Sequence, residues 1–109
     1  MANGNTGPPT AIVSAVKEYL HITWDSDDNA IAGYIERGMA RLNRVAGTEL
    51  DYTVEDTPRQ LLFDYCRYAN SQALEVFEEN FRGELLDLHL KNRVTEYENQ
   101  NADTVPDIS

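Results

Sequence analysis

Cysteine occurs once in this chain of 109 residues, at Cys66, and proline only four times. One cysteine excludes an internal disulfide framework and fits a reducing compartment. Long apolar runs are missing too. None exceeds three residues, as at 11–13 and 61–63, so no membrane-spanning helix and no signal peptide are expected. Positive charge is scarce: 9 Lys and Arg face 19 Asp and Glu, a net charge of −10. Such a surface repels phosphate backbones, which argues against nucleic-acid binding as the main task. The two histidines, His21 and His89, cannot build a histidine-rich metal site alone and belong to no recognisable triad. Glycine-rich phosphate loops, paired Cys-x-x-Cys motifs and His-Glu-x-x-His are absent. No catalytic, cofactor-binding or metal residue is therefore nominated, and the chain reads as a non-enzyme.

What is present is one domain's worth of chain, with 41% hydrophobic residues distributed unevenly. Residues 1–9 and 98–109 hold almost nothing to bury and read as flexible N- and C-terminal arms. Residues 10–97 form the foldable part. The expected fold is all-α: a small bundle of three to four helices, two of them long and antiparallel, with short flanking helices.

Thr10 is placed to start the first helix, and Ile12, Val13, Val16 and Leu20 follow at helical spacing. Residues 22–24 read as a short extended piece anchored in the core by Trp24. The acids at 25–29 suit the N-terminus of a second helix, where unpaired N–H groups and the dipole favour negative charge. Ile31, Ile35, Gly38, Leu42 and Val45 then keep to a stripe roughly 80° wide, and Gly47 is placed to close the helix in a left-handed conformation. Residues 48–57 form a loop in which Leu50, Tyr52 and Val54 alternate, as in a short extended stretch. Thr57 and Pro58 open a third helix that the pattern carries to 80 or 81. Its apolar arc takes in Leu61, Leu62, Phe63, Tyr65, Cys66 and Tyr68, with Asp64, Arg67, Ser71 and Glu75 on the polar face. That arc exceeds the roughly 100° that one-sided packing requires. The helix is thus either central in the bundle or also in contact with a second molecule. After Gly83, the row Leu86, Leu90, Val94 and Tyr97 fits a fourth helix, although residues 86–90 also alternate as a strand would.

Asp25, Asp27, Asn29 and Glu36 match four positions of a calcium-binding loop. Its sharp-turn position holds Ala30 instead of glycine, and the loop would consume Ile31 and Ile35, so helix capping accounts better for these acids. Cys66 lies on the core row of the third helix, away from the electropositive setting a reactive thiol needs. Arg37, Arg41 and Arg44 form a basic strip on the second helix. They read either as a solvated face paired with local acids such as Glu36, or as a contact for an acidic neighbour, another copy of the chain included. Tyr65 and Tyr68, with Tyr34, are candidate interface residues, since tyrosine tolerates a half-wet setting. Edge-of-core packing is the equal alternative.

The order of elements resembles the head–tail connector (adaptor, or head-completion) proteins of long-tailed bacteriophages. The resemblance covers residues 12–90. It is carried by Val16-Lys17-Glu18-Tyr19-Leu20, the polar break at 25–29, Tyr34-Ile35-Glu36-Arg37-Gly38, Leu42-Asn43-Arg44-Val45-Ala46-Gly47, and the Pro58-initiated helix with Leu61-Leu62-Phe63-Asp64-Tyr65-Cys66-Arg67-Tyr68 and Phe77-Glu78-Glu79-Asn80-Phe81. It implies a virion structural protein, assembled in the host cytoplasm into a ring of about a dozen copies at the head–tail interface. Such a ring binds the portal protein on one side and a stopper or tail-completion protein on the other. DNA passes through its channel without specific binding, and no membrane is involved. The alternative from another class is a small acidic regulatory adaptor that binds a single protein partner.

Overall fold

A computed structural model describes residues 8–104, and in them the chain forms five helices and no strand: α1 (Thr10–Leu20), α2 (Asp28–Ala46), α3 (Thr57–Asn70), α4 (Leu74–Asn80) and α5 (Arg82–Thr104). The expected all-α fold is present, with one helix more than the sequence pattern predicts. Helices α2 and α3 form the central pair. Helix α1 packs on both, α5 lies along α2, and α4 bridges α3 and α5.

Each boundary has a local cause. Helix α1 buries Ile12 and Val16 and closes at His21, which takes the left-handed conformation (φ 62°). The Ile22 N–H then donates to the Lys17 carbonyl at 2.8 Å, turning the chain so that Ile22 is buried. Gly47 closes α2 at φ 79°, and its N–H donates to Asn43 at 2.8 Å, as the glycine's position predicts. In the loop that follows, only Tyr52 is fully buried. Its hydroxyl donates to Asn43 Oδ1 at 2.7 Å, while Val54 stays exposed, and no strand forms. Asp56 caps α3 by accepting from the Thr57 N–H at 2.8 Å, one residue earlier than the sequence suggests.

The sequence reading of one continuous helix from 57 to 80 is corrected. The chain breaks at residues 71–73, with Gln72 in the left-handed region (φ 59°). Aromatic packing explains the break. In one straight helix, residues 65 and 77 would stand about 18 Å apart along the axis. Here the ring centroids of Tyr65 and Phe77 are 5.4 Å apart, edge to face, and Tyr68 meets Phe77 at 5.9 Å and Phe81 at 5.7 Å. Folding α4 back over α3 leaves Phe77 with no exposed surface.

Three further expectations change. Trp24 does not anchor the core; it is 50% exposed, and its indole N–H donates to Asp27 at 2.9 Å. Asp64 is not on a polar face. It is buried and accepts from the Tyr19 hydroxyl at 2.7 Å and from Gln60 at 3.2 Å. Residues 98–104 continue α5 instead of starting a loose arm. Residues 1–7 and 105–109, which complete the two expected arms, lie outside the described residues.

Candidate interaction surface

Helix α3 is the first place to look for surplus apolar surface, and it has none. Leu61, Leu62, Phe63, Tyr65, Cys66 and Ala69 are all buried within a single chain. Of the two sequence-based options, the central position in the bundle is the one realised. Burial also pushes the Cys66 thiol up to about 12, so it stays protonated and unreactive at neutral pH.

The surplus lies on α5. This helix docks through Leu85 and Leu88, each 7% exposed, whereas Leu86, Leu90 and Val94 are 54%, 49% and 55% exposed. Spaced at i, i+4 and i+8, the three form one row within about 80° of arc. Single exposed leucines are ordinary on protein surfaces. An aligned row, pointing away from a helix's own docking face, is what an unpartnered interface presents. Among the described residues of α5, Leu88 is the last that is buried.

Charge is sorted on either side of this row. At 100° per residue, exposed Arg82, His89 and Arg93 fall within about 40° along one edge. Glu84, Asp87 and Lys91 fall within about 60° along the other. Neighbouring elements extend both flanks. Arg44 of α2 joins Arg82, Leu86 and His89 around a shallow cavity of about 460 Å³. Asp56 and Pro58 join Glu84, Asp87 and Lys91 around another of about 500 Å³. His89 also fixes the helix, its Nδ1–H donating to the Val45 carbonyl at 3.0 Å.

The predicted site residues are not brought together. Arg37 stands over the Tyr34 ring of its own helix, 5.7 Å from the centroid. Arg41 makes a two-pronged contact with Glu78, at 2.8 and 2.7 Å, tying α2 to α4. That hydrogen-bonded pairing raises the guanidinium above its ordinary pKa and holds the Glu78 carboxyl below the usual range. Arg44 and the Glu78-paired Arg41 both line the cavity beside Arg82, Leu86 and His89 of α5, whereas Arg37 does not. Tyr65 is buried against Phe77, so it is a core residue. Tyr68 is half-buried, with the Arg67 guanidinium 4.6 Å from its ring centroid and its hydroxyl accepting from Asn80 at 3.2 Å. Both tyrosines pack against Phe77 within the chain.

The acids before α2 serve a local structure. The Lys17 ammonium lies 2.8 Å from both Asp25 and Asp28, and Asp27 takes the Trp24 indole. The Asp27 side chain makes no capping hydrogen bond, so the expected cap is replaced by an ionic clasp between α1 and α2. Among the described residues, no group of three or more His, Cys, Asp or Glu side chains stands ready to hold a metal ion, and no helix is long and apolar enough to cross a membrane.

Leu86, Leu90 and Val94 mark one face of a helix in the sequence, but their spacing does not say whether the chain itself covers that face. The pairing of Leu85 with Leu88 at i, i+3, which actually docks the helix, is a weaker signal than a three-residue row. No protein-family model, curated protein or solved structure matches the chain.

Proposed function

We propose that this chain is a structural subunit of a tailed-bacteriophage virion, assembling into a ring between the portal protein and the stopper or tail-completion protein. The ring would extend the DNA channel. The observation that carries the reading is the outward row Leu86–Leu90–Val94 on a domain whose core is complete without it. A subunit that must fold first and assemble afterwards needs this division between a closed core and an open apolar edge. The phage assignment rests on the sequence resemblance, whose expected helical order is compatible with α1, α2 and α3. A net charge of −10 also suits a channel wall past which DNA slides without adhering.

The test is electron microscopy and native mass spectrometry of the purified protein, alone and mixed with the portal of the same phage. Rings, or a stoichiometric stack on the portal, are the expected outcome. A chain that ignores the portal and is missing from tailless, DNA-filled heads would rule out the connector and return the regulatory adaptor as the better reading.

A further inference from the structure

The order of charge around α5 says how two copies can meet. Viewed down the axis, the helix carries four sectors in sequence. They are the docked face (Leu85, Leu88), the net acidic flank (Glu84 and Asp87, with Lys91 between them), the apolar row (Leu86, Leu90, Val94) and the basic flank (Arg82, His89, Arg93). If two copies close their apolar rows against each other with the helices antiparallel, the two-fold axis crosses the helices. Each flank then faces its own kind: acid on acid, base on base. If the copies are related by rotation about an axis along the helices, the helices run parallel, and each basic flank lies along the acidic flank of the next copy. Like-charge contacts repel and opposite ones attract, so the sorting selects the second arrangement.

We propose that α5 is the contact between copies of this chain, in parallel orientation, with the basic flank of one copy seated against the acidic flank of its neighbour. The inference deepens the assembly reading and rests on it, for it names the surface and direction of the self-contact. The occupant is a second copy because the chain itself supplies both halves of the complement. Arg44 adds to the basic half and Asp56 to the acidic half, each from the element beside α5. The cavities along the two flanks give long side chains from the neighbour room to lie down. A pair about that axis closes the two apolar rows on each other; in a larger ring unlike flanks still meet, with the rows side by side towards the axis.

The test is disulfide trapping in the full chain. Leu86→Cys and Val94→Cys are made separately, one with a mass tag, and mixed under mild oxidation. Cys66 stays silent because it is fully buried. Parallel contact gives 86–86 and 94–94 links. Mixed 86–94 links would mean antiparallel pairing, and no links at all would mean that α5 is not the contact; either overturns the proposal. The charge rule is checked independently. Arg82→Glu with Arg93→Glu, or Glu84→Arg with Asp87→Arg, weakens self-association about tenfold, and mixing the two variants restores it. Failure of mixing to restore association overturns the proposal as well. The outcomes separate the two readings. Rings on the portal without α5 links leave the connector standing and end this contact. Like-to-like links in a protein that never joins the portal do the reverse.

Discussion

Gly38 shows how much a single hydrogen atom decides in this core. A Cβ built at this position would lie 2.8 Å from a methyl carbon of Leu62 and 2.8 Å from a ring carbon of Tyr65. Leu62 has no exposed surface and the Tyr65 ring is held edge-on by Phe77, so neither can withdraw cheaply. Alanine in a helix is worth about 1 kcal/mol over glycine. Forcing a methyl into a closed contact costs about 1–3 kcal/mol. The clash involves two neighbours at once, so it wins. Gly38→Ala is expected to lower stability by about 1–2 kcal/mol, read as a lower denaturant midpoint at unchanged slope. A midpoint that stays or rises would mean that α2 and α3 do not cross this closely. Arg41 carries the opposite lesson. Its position on a basic strip suggests an outward task, but Glu78 claims it within the chain. Charge counted along one helix does not reveal an acid that arrives from another.

At the scale of elements, the sequence is readable wherever the cause is local, and it fails wherever the cause is a distant contact. The apolar stripe from Ile31 to Leu42, the glycine at 47 and the Thr57–Pro58 start of α3 act within a turn of themselves, and each marks its helix to within a residue. The break at 71–73 has no such marker. It contains neither glycine nor proline, and the apolar spacing runs straight through it. What ends α3 is the tertiary gain of seating Phe77 against Tyr65 and Tyr68, at 5.4 and 5.9 Å between centroids, with Phe81 also reaching Tyr68. The α5 row is the same kind of failure. Periodicity finds an apolar face but does not say whether a partner inside the chain covers it. The break also leaves a measurable strain. Gln72 sits at φ 59°, whereas Ser71 beside it sits at φ −94°. A side chain in the left-handed region costs about 1–2 kcal/mol, and glycine gives back about half of that through its freer unfolded chain. Gln72→Gly is therefore expected to stabilise the domain by about 0.5–1 kcal/mol, while Ser71→Gly destabilises it by a similar amount. Thermal melts of the two variants, moving in opposite directions, would locate the hinge.

For the whole molecule, the net charge of −10 sets two electrostatic effects against each other whenever copies meet. The total charge acts at long range and pushes copies apart. In the proposed contact, the flanks of α5 act at short range and pull copies together. Salt separates the two by distance, because the screening length falls from about 30 Å at 0.01 M to about 8 Å at 0.15 M and about 3 Å at 1 M. The first step removes repulsion between whole subunits yet leaves pairs a few ångströms apart largely intact. Only the second step reaches those pairs, and there the apolar row, which salt does not weaken, still holds. Self-association is thus expected to strengthen from about 0.01 to 0.15 M salt and to change little, or weaken slightly, towards 1 M. Sedimentation equilibrium across that range measures it. Association that is strongest at the lowest salt would mean that contact charges outweigh the total charge at every distance, and the apolar row would then lose its place as the main adhesive between copies.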